Sequence, residues 1–448
     1  MMTTKINITN RTGWGLLITA LFTLYFSLFT ASAQSVTDMI KKDPSYAACN
    51  YRVYPDSVEM PMTPPPADKK PFYISHYGRH GSRYINNRKG YDIPYKMMLK
   101  ADSLGQLTST GHRVLKEIEL IIADTEGQWG DLTGYGQLQQ RHISERMMER
   151  FPEVLSGDAR VDAKSTVVNR CMLSMGSFVM EMARINPQLR ITMRASKRDM
   201  RYMNYQDKLL KDMPEETEKA YDEFVAKYSR NPRLMKQLFI NADSASKVVD
   251  ETWLNYYIIK MGLFQLNTRR YKETFLTDLF EVEDLFNLWK TDNVWWYINY
   301  GSSELNDGDR PYSQRYLLRQ IIADADSCLQ LEKPGVQLRF GHETVLLPLT
   351  CLLGVNGYDK HIDDWEDIDV QGWQSSDVFP MASNLQLIFY RSDINDKDVL
   401  FKVLLNEQEA ELPIMTDCAP YYHWKDFREF YLDKLDKYDQ KRKALSSL

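Results

Sequence analysis

The sequence lacks internal repeats and low-complexity tracts, so it does not encode a repeat protein. Hydrophobic residues make up 43% of the chain and charged residues 26%, a composition typical of globular rather than disordered or fibrous proteins. The 448 residues exceed what one compact core usually holds. The length therefore predicts two units, or one core that carries a large insertion.

An excess of positive charge is also missing. The 56 lysines and arginines are outnumbered by 61 aspartates and glutamates, which gives a net charge of -5. Loss of the first 33 residues, which contain Lys5, Arg11 and no acids, would move this charge to about -7. Nucleic-acid binding depends on many contacts between cations and phosphates, so an acidic chain argues against nucleic acid as the main partner. For an anionic substrate, positive charge would have to be concentrated locally.

Cysteine is scarce, with five residues in the whole chain. No cysteine stands directly after Ala33, so a lipid anchor on a mature N-terminal cysteine is not indicated. An odd number leaves at least one thiol unpaired within a monomer, and the spacing leaves the pairing open even where export permits disulfides. The five are Cys49, Cys171, Cys328, Cys351 and Cys418.

A targeting segment occupies the N-terminus. Lys5 and Arg11 precede an apolar run from Leu16 to Phe29, and Ala31-Ser32-Ala33 follows this run. The order of basic, apolar and small residues is typical of a secretory signal, with cleavage after Ala33. The alternative is an uncleaved membrane anchor, but the strongly apolar part is short for a span of about 20 residues. We therefore expect export to the periplasm or the extracellular space, with no stable membrane association after cleavage.

Apolar patterns divide the rest of the chain into strands and helices. Residues 71–76 are predicted to form a short buried strand that ends at Tyr77 and Gly78. Apolar residues recur at helical spacing over 114–122 and 167–182, with Ser165 and Thr166 as N-cap candidates for the second helix. Further strands are predicted over 188–193, 336–340, 385–390 and 399–404.

From about residue 197 to 310 the pattern indicates helices rich in aromatic residues, without clear strands. Alternating strands and helices interrupted by a helical block predict an α/β fold. We expect an open, mostly parallel sheet flanked by helices, with an inserted α-helical cap domain. The predicted parts are a signal peptide (1–33), the first part of the α/β core (34–196), the cap (197–310) and the second part of the core (311–448). In such sheets, ligands bind at the C-terminal ends of strands.

Arg79-His80-Gly81-Ser82-Arg83 comes directly after the first predicted strand. Two guanidinium groups in one tight loop suit a phosphate monoester, because each can donate bidentate hydrogen bonds to phosphoryl oxygens. Gly81 would let the backbone approach the ligand closely. The flanking positive charge should keep His80 neutral, which is the nucleophilic form. The alternative is a solvated basic turn.

Phe340-Gly341-His342-Glu343-Thr344 forms a second polar constellation between a predicted strand and a predicted helix. His342 could donate a hydrogen bond to a phosphoryl oxygen, and Glu343 could protonate a departing alkoxide. A zinc peptidase motif needs a second histidine four residues after the first, and Leu346 stands there instead. The alternative for this pair is a helix cap with local hydrogen bonds.

These two constellations together resemble the histidine acid phosphatase family. This is the branch of the histidine phosphatase superfamily that includes phytases and multiple inositol polyphosphate phosphatases. Three further segments fit the family pattern: Leu132-Thr133 with Gly136 and Gln139, Ser165 to Ser174, and Pro380 to Leu385. The resemblance runs from about residue 70 to 413 and is specific through the combination of its motifs.

The resemblance implies a function and a set of site residues. It implies hydrolysis of phosphomonoesters through a phosphohistidine intermediate, with a small phosphate ester as partner and no metal or other cofactor. The sequence departs from the family pattern at Ile85, where proline is common, and at Glu343, which follows its histidine directly. The implied residues are the nucleophile His80, the proton donor Glu343, and the phosphate-binding Arg79, Arg83, Arg170 and His342.

A local concentration of cations points to polyanionic substrates, with phytate as the leading candidate. The stretch from Arg194 to Lys211 contains six cations and two acids, and Arg88 and Lys89 follow the 79–83 loop. We expect Arg88, Lys89 and this stretch to bind phosphates that do not react. The alternatives are a broad-specificity acid phosphatase, a mutase of the same superfamily, and a non-catalytic phospho-ligand binding protein. Length and export count against a mutase, and pure binding requires neither His80 nor Glu343.

Overall fold

The computed structural model describes residues 35–58, 61–205, 207, 213–268 and 275–446. The predicted signal peptide, residues 1–33, lies outside these ranges, so its cleavage and the export of the chain remain predictions. Within the described ranges, no helix has the length and apolar character needed to span a bilayer.

One eight-stranded sheet forms the centre of the fold. Its strands are β1 (Lys70–Arg79), β2 (Arg160–Ser165), β3 (Arg190–Ala195), β4 (Gly335–Gly341), β5 (Asn384–Arg391), β6 (Leu400–Leu405), β7 (Gln408–Ala410) and β8 (Tyr422–His423). The strand order is β3-β2-β4-β1-β5-β6-β7, and β8 pairs with β6. Strands β1 to β4 pair in parallel, whereas β5, β6, β7 and β8 add antiparallel pairs beyond β1.

The helices occur before, between and after these strands. Up to β4 they are α1 (Val36–Lys42), α2 (Lys89–Ser103), α3 (Ser109–Thr125), α4 (Gly134–Arg150), α5 (Pro152–Leu155), α6 (Asn169–Ile185), α7 (Met200–Met203), α8 (Glu215–Tyr228), α9 (Pro232–Leu238), α10 (Ala242–Ala245), α11 (Glu251–Gln265), α12 (Phe275–Asp278), α13 (Val282–Tyr300) and α14 (Arg315–Leu329). After β4 come α15 (Glu343–Leu353), α16 (Ser375–Val378) and α17 (Trp424–Ser446).

Helices cover both faces of the sheet, so β1 is buried on both sides. Tyr73 and Tyr77 of β1 share one hydrophobic cluster with side chains of α14, α15 and α17. Ile74, between them in sequence, points to the opposite face and packs with side chains of α4 and α6. Successive side chains of a strand point to opposite faces, which is why one strand contributes to two clusters. The predicted α/β fold with flanking helices is confirmed.

The described part of 197–310 is helical, as predicted, and contains no strand. Its helices do not form a layer by themselves. Met98 of α2 and Val114 of α3 pack in the same cluster as Leu238 of α9 and Ile258 of α11. The helical layer thus includes segments from before residue 197, while the boundary at that residue remains a prediction.

The sequence-based assignment missed β2. The prediction of Ser165 or Thr166 as the N-cap of α6 was wrong. Ser165 is the last residue of β2, and α6 begins at Asn169 with Val168 as its N-cap and without a side-chain cap. Val161 and Ala163 are buried and alternate with the polar Asp162 and Lys164. An alternation of two small or medium apolar residues over six positions is a weak strand signal.

Candidate active site

The 79–83 segment, at the C-terminal end of β1, is held on both sides by the neighbouring strands. The backbone N–H of Arg79 donates to the Ser383 carbonyl at 2.7 Å, and that of His80 donates to the Gly341 carbonyl at 3.0 Å. The carbonyl of His80 accepts from Ala382 N–H at 2.9 Å. Because β4 and β5 flank β1, the segments after β4 and before β5 set the position of this loop.

The start of α4 approaches the same loop closely, and two glycines permit this approach. A Cβ on Gly81 would lie 2.2 Å from the Gly136 carbonyl oxygen, and one on Gly136 would lie 2.2 Å from the Ser82 carbonyl oxygen. The Gly81 N–H donates to Ser174 Oγ at 3.1 Å, and the Ser82 N–H donates to Gln139 Oε1 at 2.8 Å. The loop backbone is therefore fixed by α4 and α6 as well as by the sheet.

The imidazole of His80 is fully buried, with its two nitrogens in different environments. Nδ1 lies 2.9 Å from the Gly81 carbonyl oxygen, which can only accept, so Nδ1 carries the proton. Nε2 has no hydrogen-bond partner among the described residues. Burial is the largest cause that lowers the pKa of His80 well below its usual value, and Arg79 and Arg170 add to this effect. The ring is neutral, with the Nε2 lone pair available.

Arg79 and Arg83 lie on either side of Glu343. Arg79 donates from Nε to Glu343 Oε2 at 3.1 Å, and Nη2 of Arg83 lies 3.7 Å from Oε1. Burial alone would raise the pKa of Glu343, but the positive charges of Arg79 and Arg83 lower it well below its usual range. His80 Nε2 lies 3.5 Å from the same carboxylate. The predicted nucleophile, the predicted proton donor and two predicted phosphate ligands therefore share one buried site.

Arg170 stands in the first turn of α6, where the helix dipole favours anions. Its Nε is buried and has no hydrogen-bond partner among the described residues. Burial is the main cause that lowers the pKa of Arg170, followed by the positive charge of Arg83. Three guanidinium groups, with Arg79 as the third, are thus brought together from positions up to 91 residues apart in the chain.

His342 caps the start of α15, at the end of β4. Its Nε2 lies 3.2 Å from Thr166 Oγ1, and its ring centroid lies 5.8 Å from that of His80. Burial lowers the pKa of His342 to about 4, and Arg170 adds to the effect. The parallel pairing of β1 with β4 brings the two predicted motifs together, because their C-terminal ends meet at the same sheet edge.

The family model for the histidine phosphatase superfamily (branch 2) matches residues 78–406. The chain belongs to this superfamily. The predicted family and the predicted phosphoric monoester hydrolase are thereby confirmed.

Two solved structures share the fold. A Bifidobacterium longum multiple inositol polyphosphate phosphatase in complex with phosphate superposes with a TM-score of 0.69 at 15% identity, over 86% of this chain and 97% of that one. The phytase from D. castellii gives a TM-score of 0.63 at 11% identity, over 87% of this chain and 85% of that one. A search of curated proteins found no match.

A cavity of about 570 Å³ opens in front of Arg83 and Glu343 in this histidine phosphatase. Its charged lining consists of Arg83 and Lys260 against Asp222, Asp292 and Glu343, among the described residues. Burial alone would lower the pKa of Lys260, but the Asp292 carboxylate, to which Lys260 is hydrogen-bonded, raises it above its usual value. The aromatic part of the lining consists of Tyr51, Tyr221, Tyr228, Trp253, Tyr256, Trp295, Trp296 and Tyr300.

The predicted accessory cations lie elsewhere on the histidine phosphatase. Arg88 and Lys89 are exposed and do not line this cavity, and Arg88 pairs instead with Asp92 at 3.1 Å. The geometry therefore gives no support to their predicted contact with substrate. In the basic stretch, Arg194 pairs with Asp199 and Arg201 lines a separate cavity, while Lys208 and Lys211 lie outside the described residues.

The charges around the site favour an anion over a metal ion. His80, His342 and Glu343 offer ligand atoms within 4.8 Å of one another. The carboxylate of this set is already paired with Arg79 and Arg83, and two adjacent guanidinium groups would repel a divalent cation.

Sequence reasoning missed several residues that position the predicted ones. Arg83 donates from Nη1 to the Tyr51 hydroxyl at 2.8 Å, with its Cζ 4.8 Å above that ring. Gln140 donates to the Arg79 carbonyl at 2.9 Å. Gln140 and the Gln139 already noted stand in the family-like segment around Gly136, which was a usable signal. Tyr51 lies before the region of resemblance, so no motif pointed to it.

Proposed function

We propose that the chain is an exported phosphomonoesterase in which His80 Nε2 attacks phosphorus. The observation that carries this proposal is the state of that nitrogen. It is buried, deprotonated and without a hydrogen-bond partner among the described residues, and it faces a carboxylate held between two arginines. A protein that only binds phosphate has no use for an unpaired lone pair in this position, which argues against a non-catalytic phospho-ligand binding protein.

In the first chemical step, His80 Nε2 forms a bond to phosphorus while the bond from phosphorus to the leaving oxygen breaks. Glu343 delivers its proton to this oxygen, and the alcohol leaves. Arg79, Arg83 and Arg170 neutralise the charge on the equatorial oxygens, which is most of the catalysis in phosphoryl transfer. His80 Nδ1 keeps its proton and continues to donate it to the Gly81 carbonyl, which stabilises the positive phosphoimidazole ring.

In the second step, water attacks phosphorus and the bond from Nε2 breaks. Glu343 accepts the proton from water, and inorganic phosphate is released. Glu343 must be protonated to begin the first step, although its arginine neighbours lower its pKa. A phosphate dianion that takes over these arginines removes that stabilisation and adds a like charge, so both effects raise the pKa of Glu343 on binding.

Inositol polyphosphates are the proposed substrates. The similar solved structures include the phytase from D. castellii and the B. longum multiple inositol polyphosphate phosphatase, and the latter was also solved in complex with inositol hexasulfate. A second phosphate of such a substrate could contact Lys260, whose charge lies in the cavity next to Arg83.

The aromatic lining favours a second candidate, a broad-specificity acid phosphatase. Described acids in the cavity lining outnumber described cations, and Lys260 is already paired with Asp292. Rings such as Tyr256, Trp296 and Tyr300 would pack against a flat or apolar leaving group.

Replacement of the nucleophile tests the mechanism. His80→Ala should abolish phosphate release, because no neighbouring group can form the covalent intermediate. His112→Ala is the control, since this histidine is exposed and pairs with Asp102 at 3.1 Å. Folding of both variants is compared by circular dichroism. Near-normal turnover by a folded His80→Ala variant would refute the assignment.

A substrate comparison tests the two specificity candidates. The measurement is kcat/KM for phytate and for an aryl phosphate, at low and at moderate salt. Recognition of several phosphates predicts a preference for phytate that shrinks as salt screens the charges. Equal or better turnover of the aryl ester, with a ratio insensitive to salt, would favour the broad-specificity phosphatase.

A further inference from the structure

A cluster of side chains that could bind a metal lies near the N-terminal end of β1, whereas His80 lies at its C-terminal end. His423 of β8 pairs with Leu400 of β6, which pairs in turn with Tyr390 of β5 and, through it, with Pro71 at the start of β1. Pro71 and Arg79 are eight residues apart on β1, which corresponds to about 26 Å. The cluster is therefore separate from the candidate active site.

Three kinds of ligand atom converge in this cluster. His423 Nε2 lies 2.9 Å from Asp417 Oδ1 and 3.8 Å from Cys418 Sγ. All three ligand atoms lie within 4.8 Å of one another. The sequence carries them as Asp417-Cys418 with His423 five residues after the cysteine. This spacing differs from that of the zinc peptidase motif, so the cluster was not identified from the sequence.

The two separations from His423 Nε2 suit a tetrahedral zinc ion. With bonds of about 2.0–2.3 Å to nitrogen, oxygen and sulfur, ligand atoms around tetrahedral zinc lie about 3.3–3.6 Å apart. The separations of 2.9 and 3.8 Å lie within about half an ångström of this range. Thiolate with imidazole selects zinc over magnesium or calcium, which prefer oxygen ligands.

A further carboxylate orients the imidazole. His423 Nδ1 lies 2.5 Å from Asp398 Oδ1, so this nitrogen donates its proton there and leaves Nε2 for a metal. Zinc-ligating histidines characteristically donate their other N–H to a carboxylate in this way. Asp398 is itself near a cation, with Lys69 Nζ 3.9 Å from its Oδ2.

We propose that Asp417, Cys418 and His423 bind one zinc ion, with Asp398 as the residue that positions His423. Binding releases the thiol proton of Cys418, and any proton on His423 Nε2, to solvent. The side chain of Asp417 is 86% exposed, so the fourth coordination position faces water. The ion links the loop before β8 to the sheet and stabilises this edge. The alternative is an ion pair of protonated His423 with the two aspartates, in which Cys418 Sγ only donates to the Tyr421 carbonyl at 3.5 Å. This arrangement predicts no zinc binding, so a zinc titration separates the two.

Zinc titration of the full-length mature chain tests the proposal. The protein is freed of metal by a chelator under reducing conditions, and zinc binding is measured by competition with a chromophoric chelator. We expect one zinc per chain and a higher melting temperature in its presence. Cobalt in place of zinc should give a thiolate-to-cobalt charge-transfer band.

Variants locate the ion. Cys418→Ser should remove the charge-transfer band and weaken zinc binding at least tenfold, and Asp398→Asn should weaken it about 10–100-fold. Asp417→Asn should also weaken zinc binding. Because this side chain is exposed, the variant should fold even if Cys418→Ser does not. His112→Asn is the control and should bind zinc like the parent protein.

Two outcomes would overturn the proposal. One is the absence of stoichiometric zinc binding by the parent protein. The other is a thiolate band that survives Cys418→Ser, which would place the metal at another cysteine, such as Cys171, 3.7 Å from His342 Nε2.

Discussion

Glu343 Oε2 accepts a hydrogen bond from Arg79 Nε at 3.1 Å, so a phosphoryl group that binds this side of the guanidinium competes with the carboxylate. The carboxylate compensates a guanidinium that is fully buried. Burial is the main cause that lowers the pKa of Arg79 to about 10, and Glu343 is the partner that opposes this effect. In the proposed mechanism, substrate binding exchanges one anion for another on Arg79, and Glu343 changes from an arginine ligand to a group that can hold a proton.

This exchange predicts two opposite effects of Glu343→Gln. The kcat should fall by about 10²–10⁴, the range for loss of a general acid. Inorganic phosphate should inhibit at lower concentration, because a neutral amide competes less strongly for Arg79 and leaves its charge uncompensated. Steady-state kinetics with phosphate as inhibitor measure both. An unchanged kcat would show that another group donates the proton. Glu181→Gln is the control, because Glu181 of α6 pairs with Arg184 and not with a residue of the site.

Arg170→Ala should lower kcat by about 10²–10³, which is the usual loss for one preorganised charge-stabilising group. Arg184→Ala is the matched control, because Arg184 belongs to the same helix but is exposed and pairs with Glu181 at 2.6 Å. The activity of the Arg184→Ala variant should equal that of the parent protein. Equal effects of the two substitutions would indicate that α6 is sensitive to any loss of arginine, and not that Arg170 contacts phosphate.

Tyr51→Phe should raise KM for a phosphomonoester about tenfold, with a smaller change in kcat. A hydrogen bond to a charged group contributes about 1.5–3 kcal/mol, and the hydroxyl of Tyr51 is held by Arg83 Nη1 at 2.8 Å. The phenyl ring keeps the packing against Phe264, at a centroid distance of 5.7 Å. A structural role alone would lower the melting temperature without this KM effect, so both are measured.

The burial of His76 predicts that the folded protein loses stability in acid. It packs between Phe178 and Phe340, both nitrogens lack partners among the described residues, and burial lowers its pKa to about 3. Between pH 6.5 and 3 the unfolded chain binds a proton that the folded chain does not, so stability falls as pH falls. The loss from pH 7 to pH 5 is about 2 kcal/mol.

His76→Leu should remove this contribution. Urea unfolding at pH 7 and pH 5 should show a free-energy difference about 2 kcal/mol smaller in His76→Leu than in the parent protein. An identical pH dependence in the two proteins would contradict the neutral, buried state of His76.

Phosphatase activity should survive strong chelators. The charges around His80 favour an anion, and the proposed zinc ion lies at the other end of the sheet. EDTA should therefore lower the melting temperature of the zinc-loaded protein without loss of kcat. Loss of activity that a divalent ion restores would contradict the proposed chemistry at His80.

The sequence by itself determined which candidate side chains stand at the ends of β1 and β4. Arg79 to Arg83 and His342-Glu343 are contiguous motifs, and each follows a buried apolar strand, so local pattern and resemblance were enough to identify them. Helix and strand periodicity also determined the class of the fold and the helical character of 197–310. Such signals depend on neighbours in sequence, which is why the sequence alone carries them.

Only the tertiary structure decided which distant groups act on those motifs. Tyr51 reaches Arg83 across 32 residues, and Arg88, although only five residues from Arg83, turns to Asp92 at the surface. Asp398 meets His423 because β6 and β8 pair, a fact of register that no local pattern carries. The physical reason is the same in each case. Hydrogen bonds and charge interactions act over a few ångströms in space, and folding sets those distances independently of separation along the chain.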